Sequence, residues 1–336
     1  MLDIKRSLNS LIKRKTIQQL NYSSAEFNES LEGIENIFLD SLRKSNDSDL
    51  VKYINQSAEE VDKRYTEISY EEGERIKNSL DKVLDNVDFE YQGSVSNNTH
   101  IRATSDLDLL VILRPYDVPN ESLLQLKDNC YSNIKTNFPK VNIERGAKSL
   151  KLTGGSLKRD IDVVPSCWNE NTKPKRGIAI LNEEENNQVI NTPFYHNYLL
   201  EKKDEHCKSF YKKAIRLVKN LKADIEEQEN KELKISSYEI TALIYHISDD
   251  KFFTLKQNTE LVPMLVKEFN LLLSRKDLKE LEVPDGSRKI IRDKETIINL
   301  QELIQKLCYI LNCLEKEKNQ SVKYEQVKAT PKAWGN

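Results

Sequence analysis

The chain has 336 residues, long enough for a sizeable core divided between two lobes, and its net charge of −2 excludes a global basic field for nucleic acid. Charged residues make up 32%, which suits a water-facing, helix-rich surface, and no apolar run reaches the roughly 20 residues that span a bilayer. The five cysteines, Cys130, Cys167, Cys207, Cys308 and Cys313, include no C-x-x-C pair, which sets aside a structural zinc site and a disulfide framework and favours a reducing cytoplasm.

Residues 1–20 place Ile4, Leu8, Leu11 and Ile12 at helical spacing, with no continuous apolar segment of the signal-peptide kind. The opposite face carries Lys5, Arg6, Lys13, Arg14 and Lys15, which reads as a solvated helix face, with an RNA or phosphate contact as the sharper alternative. A second helix is expected over 24–43, with Phe27, Leu31, Ile34, Ile37 and Phe38 as its apolar stripe. A long helix over 58–87 follows, where Val61, Tyr65, Ile68, Ile76, Leu80 and Val83 recur, and it feeds a short strand at Phe89–Glu90–Tyr91.

The stretch 91–113, YQGSVSNNTHIRATSDLDLLVIL, organises the rest. Gly93–Ser94 can bring backbone N–H groups and a hydroxyl close to phosphate. Asp106 and Asp108 alternate with apolar residues at the start of a strand, so they point the same way. Two carboxylates at about 4 Å repel by roughly 4 kcal/mol at an effective dielectric near 20. A divalent cation removes that cost, and oxygen-only ligands favour Mg²⁺ or Mn²⁺. A break is expected at Arg114–Pro115–Tyr116, then a helix over 121–138 and short strands at 141–145 and 149–152. The Thr153–Gly154–Gly155–Ser156 turn leads to a strand at 158–164, ended by Pro165, that carries a second carboxylate pair, Asp160 and Asp162. The basic segment 173–176 reads as a surface loop, and 178–181 with 188–190 as another hairpin. Helices are expected at 204–225, 237–247, 260–274 and 294–317, with 226–234 as a linker and Pro284–Asp285–Gly286–Ser287 as a turn. His100, His196, His206 and His246 have no metal-ligand spacing and read as surface or satisfied core histidines.

A lone Gly-Ser is usually a turn, and a lone D-x-D is often a polar strand face. Together with a later Asp-bearing strand they become far more specific. Two strands of one sheet can gather Asp106, Asp108 and one of Asp160 or Asp162 around a pair of cations that clamp attacking and leaving oxygens. Gly93–Ser94, Ser105–Asp106–Leu107–Asp108 and Ile161–Asp162–Val163–Val164–Pro165 resemble the nucleotidyltransferases of the cyclic GMP-AMP synthase superfamily, most of all its bacterial branch, the CD-NTases that make cyclic oligonucleotide signals in anti-phage defence.

The resemblance covers most of the chain from about residue 60 onward. It implies an α/β (α+β) fold, a polymerase-beta-like mixed sheet with a C-terminal helical lobe: N-terminal helices at 1–57 packing on the core, a catalytic core at 58–193 and the helical lobe at 194–336. The family's third metal Asp precedes a Val-Val-Pro segment, which selects Asp162, so Asp106, Asp108 and Asp162 would hold metal. Gly93 and Ser94 would cradle triphosphate, and Lys219, Ser237 and Tyr238 would bind the donor nucleotide. Pro284–Asp285–Gly286–Ser287 resembles a recurrent turn of the helical lobe, and the ending at 331–335 fits bacterial members.

Taken alone, Lys219 can hold a phosphate but an exposed helix lysine is the commoner fate, Tyr238 is equally a flat face for a purine or a core tyrosine, and Ser237 is equally an N-cap, which is compatible with phosphate binding. Exposed surface is the expected place of Arg102. The implied activity condenses nucleoside triphosphates, ATP and GTP among them, into a cyclic dinucleotide or trinucleotide with Mg²⁺ or Mn²⁺. A downstream effector would read the product, no membrane is involved, and an RNA is the candidate activator. Two rivals remain: a terminal nucleotidyltransferase acting on RNA or another acceptor, and an RNA-binding sensor module motivated by the basic runs at 13–15 and 173–176.

Overall fold

The computed structural model describes residues 2–16, 25–155 and 157–329. Ser156 and the 331–335 ending lie outside the described residues, as do the side chains of Phe27 and Leu31.

Four helices lead in: α1 (Ile4–Lys15), α2 (Ala25–Lys44), α3 (Asp49–Ala58) and α4 (Lys63–Leu80). The helix expected over 58–87 is α4 alone, shorter at both ends, and α3 lies ahead of it. Ser48 accepts from the Val51 N–H to cap α3, and Asp62 accepts from Arg64 to cap α4. Val83 lies beyond α4 and is exposed, as is Ile37 on α2, so neither belongs to a core stripe.

The sheet then begins with β1 (Val87–Gln92), the four-residue helix α5 (Gly93–Ser96) and β2 (Leu107–Tyr116), followed by α6 (Asn120–Asn137), β3 (Asn142–Arg145), β4 (Leu150–Thr153) and β5 (Ile161–Trp168). A 3₁₀ turn (Glu170–Lys175) joins β5 to the hairpin β6 (Ile178–Asn182) and β7 (Asn187–Asn191). The order is β1-β2-β5-β4-β3, with β6 and β7 completing a seven-stranded sheet. Among the described residues only β2 and β5 pair in parallel, and the other pairs are antiparallel.

Strand β2 runs through the expected break at Pro115, and β5 runs through Pro165. Pro165 lies between Val163, the last residue paired with β4, and Ser166, the first paired with β6. The flanking ladder is already interrupted there, so a residue without an N–H is tolerated. Leu107, Leu109, Val111, Ile161 and Val163 face α4 and α6, while Leu110, Ile112 and Val164 pack with Ile178, Ile180 and Trp168 on the other face. Burial on both faces explains the unbroken apolar run at 109–113.

The remainder is helical: α7 (Pro193–His206), α8 (Phe210–Glu229), α9 (Ser237–Tyr245), α10 (Asp249–Phe253), α11 (Leu261–Ser274) and α12 (Lys294–Ala329). The helix expected at 204–225 is broken at Lys208 and Ser209, both at positive φ, and α8 extends into the expected linker. No helix among the described residues is long and apolar enough to cross a membrane.

Leu11, Leu50, Tyr53 and Ile54 share the core of this helical half, so α1 and α3 close on α8 rather than on the sheet. Lys5, Arg6 and Lys13 are exposed, as expected of a solvated face, but Arg14 and Lys15 turn inward. Arg14 donates to Asp224 at 2.6 Å, and Tyr53 donates to the other Asp224 oxygen at 2.6 Å. Lys15 is buried and donates to the carbonyls of Glu59 (2.6 Å) and Glu60 (3.2 Å). Burial comes first in pushing the Asp224 carboxyl up, with Arg14 and Tyr53 opposing it. Replacing Asp224 by Ala takes from buried Arg14 and Tyr53 the carboxylate they share, leaving Arg14 the Asn220 oxygen at 3.2 Å and the Glu227 carboxylate at 3.7 Å. We expect a loss of about 3–5 kcal/mol in urea denaturation, against a change within about 0.5 kcal/mol for the exposed Lys5→Ala control.

Candidate active site

Strand register decides the centre of the site. Gln92 pairs with Asp108, Asp108 with Asp162, and Asp162 with Lys151, so one rung crosses β1, β2, β5 and β4. Partners on a rung share a face, and Asp106, two residues before Asp108, lies toward the same side. Gly93 follows Gln92 directly. Its φ is +86°, and a Cβ built there would stand 1.8 Å from Asp108 Oδ2. Both the backbone conformation and the space require glycine, and the glycine–serine bend lies directly against the carboxylate row.

The charges are strained in the expected direction. Burial, then the Asp162 and Asp106 carboxylates, push the Asp108 carboxyl up to about 7. Burial, then Asp106, also raises Asp162, whose Oδ1 is buried with no hydrogen-bond partner. Lys151 answers part of this by donating to Asp106 Oδ2 at 2.8 Å, which in turn raises the lysine. Asp160 stands just before β5, and its carbonyl accepts from Leu107 N.

Among the described residues no three His, Cys, Asp or Glu side chains are drawn into a metal cage. One oxygen of Asp106 is instead spent on Lys151. The donor set still suits a hard divalent cation: oxygens only, one of them buried and unsatisfied, in a row whose members repel one another.

Beside this rung a cavity of about 660 Å³ opens between the sheet and the helical half. Gly93, Ser94 and Thr99 line one wall, and Lys219, Ser237 and Tyr238 the other. A larger open groove, about 850 Å³, runs along α4, but Glu67, Glu71, Glu72 and Glu74 line it and would repel phosphate.

Lys219 is not an exposed helix lysine. It is buried on α8 and donates to the Thr99 carbonyl at 2.6 Å, and burial followed by the Arg216 charge lowers it to about 8. Arg216, one turn earlier, donates to the Asn98 carbonyl at 2.6 Å and to Ala58 O at 2.8 Å. Two buried cations of α8 thus grip the loop that follows the bend.

Ser237 is the first residue of α9, and the cap is Ser236, in a reciprocal capping box with Glu239. That leaves the Ser237 side chain available to the cavity. Tyr238 is half-buried rather than core. His196 stacks on it with ring centroids 4.8 Å apart, and the Arg288 guanidinium lies 4.6 Å from its centroid. Arg102 is exposed, as expected.

His196, Arg288 and Lys151 carry no signal that marks them in the sequence. A lone histidine cannot be told from a core one, and Lys151 shows only the alternation of a half-buried strand. The 284–287 turn was legible as a turn, but only the fold places it on the cavity wall. Of the other basic segment, Lys175 donates to the Asp285 carbonyl at 3.0 Å, and Arg176 lies over Trp168 and Phe194 and pairs with Glu90.

A family model described as the cGAS/DncV-like nucleotidyltransferase C-terminal helical domain matches residues 199–312. The cyclic dinucleotide synthase CdnE of Yersinia aleksiciae is 32% identical over 287 residues, covering 76% of this chain and 74% of that protein. The solved structure of a STING-associated CdnE c-di-GMP synthase from Capnocytophaga granulosa matches with a TM-score of 0.80 at 29% identity, over 94% of this chain and 99% of that one. The Rhodothermus marinus CdnE c-UMP-AMP synthase, solved with Apcpp and Upnpp, shares the fold at a TM-score of 0.62 and 20% identity, over 76% of this chain and 95% of that one.

Two measurements check the geometry. Gly93→Ala drives a methyl group into Asp108, and a displacement of about 1 Å at such a centre is expected to lower turnover about 100-fold with the circular-dichroism spectrum unchanged. The second concerns pH. Folding raises the Asp108 carboxyl from 3.8 to about 7, so its folded, protonated form contributes stability below the lower value that is lost as pH rises through the upper one. In chelator, Asp108→Asn should therefore gain melting temperature over the wild type as pH rises from 3.8 to about 7, and level off above.

Proposed function

The chain belongs to the cGAS/DncV-like nucleotidyltransferase family, and from that membership we propose that it joins two nucleoside triphosphates into a cyclic dinucleotide that a separate effector reads in cytoplasmic anti-phage defence. The observation that carries this reading is the single rung of Asp108, Asp162 and Lys151 with Gly93 closed against Asp108 at the edge of the cavity. The names of its relatives, cyclic dinucleotide synthase and c-di-GMP synthase, support a ring of two nucleotides.

In this reading a ribose hydroxyl of one nucleotide attacks the α-phosphorus of the other. One P–O ester bond forms, the α–β anhydride bond breaks, pyrophosphate leaves and the hydroxyl proton is released. A second transfer of the same kind closes the ring. Asp106, Asp108 and Asp162 would hold Mg²⁺ or Mn²⁺, which when bound neutralises triphosphate charge and makes the attacking hydroxyl more acidic. Asp162 Oδ1, buried and without a hydrogen-bond partner, would serve as one of these ligand oxygens. Ser94 and Lys219 face the cavity as the phosphate end, and Lys219 must exchange its bond to the Thr99 carbonyl for one to phosphate. Ser237 and Tyr238 hold the nucleoside end. Catalysis is positioning and charge neutralisation, with little covalent work for the protein.

The test incubates purified protein with four labelled triphosphates, Mg²⁺ and no acceptor, with and without added RNA. A phosphatase-resistant cyclic product is expected. Chelator should abolish it, and the D106N/D108N double variant should lower it by roughly 10³-fold or more. Product that forms only when an RNA end is supplied, and is found attached to it, would establish a terminal transferase instead. Stimulation by RNA without its consumption would mark RNA as the activating signal.

A further inference from the structure

Lys148, Lys219 and Arg288 line the cavity, and of these Arg288 is the one set against the Tyr238 ring. Lys219 is engaged with the Thr99 carbonyl. Lys175, close by, is spent on the Asp285 carbonyl. The Arg288 carbonyl accepts from Val283 N at 2.9 Å, but its guanidinium makes no hydrogen bond and no ion pair among the described residues and lies against the face of Tyr238, 4.6 Å from the ring centroid. The nearest acidic neighbour on its own turn does not neutralise it: one Asp285 oxygen accepts from Thr192 Oγ1 at 2.7 Å and the other from the Ser287 N–H at 3.0 Å. The turn is thereby pinned to the end of β7 while the guanidinium is left unspent at the ring.

A guanidinium held at an aromatic face stands where a planar base would enter, not where a triphosphate would. The phosphate end of the cavity, Ser94 and Lys219, comes from other elements. An arginine presents two parallel N–H donors at a fixed spacing. Of the four bases, guanine alone shows two adjacent acceptors, O6 and N7, on one edge, and arginine to that pair is the commonest specific base contact. Adenine sets an amino donor beside N7. Uracil offers one acceptor in the equivalent place and cytosine a donor.

We propose that Arg288 is a specificity-determining residue that selects guanine in this cavity, pivoting from the Tyr238 ring to the O6/N7 edge of a base stacked there. The inference rests on the synthase reading only in taking Tyr238 as the base platform. Arg288 is exposed and lies at the end of a turn, so the pivot needs no backbone movement.

Equilibrium binding of non-hydrolysable GTP, ATP, UTP and CTP analogues to the full chain tests it without turnover. Arg288→Ala should weaken the GTP analogue by roughly 5- to 150-fold and leave the other three within about twofold. Arg288→Lys, which keeps the charge but loses the fork, should recover little of the loss. A 7-deaza GTP analogue, lacking the N7 acceptor, should bind the wild type more weakly than the GTP analogue and bind Arg288→Ala equally well. Equal weakening of all four analogues would make Arg288 a phosphate or scaffold residue and overturn the proposal. Full wild-type affinity for the 7-deaza analogue would overturn it too. If the wild type binds guanine selectively through Arg288 yet forms no cyclic product, the synthase reading falls and this one stands.

Discussion

Acidic side chains crowded onto the end of one parallel strand pair are the constraint to which the rest of the structure answers. Pairing β2 with β5 in parallel sets Asp108 and Asp162 on adjacent strands of one rung, with Asp106 just ahead. Such charges repel by several kcal/mol at the distances of a sheet rung. The fold meets that cost from the back and the side. Leu107, Leu109 and Val111 clamp β2 to α4 and α6, Ile161 and Val163 do the same for β5, and Lys151 supplies a positive charge from β4. What stays unbalanced, the raised Asp108 and the unsatisfied oxygen of Asp162, is what the proposed cation would relieve.

The second dependency is the bend. Gly93 can approach Asp108 only because it lacks a side chain, and the loop after it would be free to move were it not tied down. The ties come from α8: Arg216 holds the Asn98 carbonyl and Lys219 the Thr99 carbonyl. Behind them, Lys15 holds the carbonyls at 59 and 60, and Arg14 with Tyr53 fixes Asp224 on the same helix. Arg216 has Glu60 at 4.0 Å, whereas Lys219, which lines the cavity, binds a carbonyl rather than a carboxylate. The wall facing the cavity is therefore positive as well as rigid, which is what a triphosphate needs. The residues at the tip of α1, which looked like a surface patch, are the foundation of this wall.

In the proposed reading the helical half supplies the nucleoside end by a different logic. Tyr238 rises from the first turn of α9, whose cap is Ser236, so Ser237 and Tyr238 are both presented to the cavity. His196 from α7 and Arg288 from the 284–288 turn meet at that ring. Three separate stretches thus converge on one aromatic face, and a change in any of them can retune the base without touching the carboxylates.

Local pattern alone determined much of this protein. Alternation placed Asp106 and Asp108 on one side, the Thr153–Gly155 turn announced a hairpin, and glycine before serine marked the bend, because period and turn chemistry act between near neighbours in the chain. Neighbours also misled. Helical spacing drew α4 past both its ends and passed over α3, and Pro165 looked like a stop although β5 passes through it where the flanking strand changes. Only the tertiary structure decided that Asp162 stands beside Asp108, that Lys151 completes their rung, that Arg14 and Lys15 are interior, and that His196 and Arg288 share a ring with Tyr238. Each of these is a contact between residues distant in sequence, set by strand register and helix packing, and no periodicity within one segment encodes which distant partner it will meet.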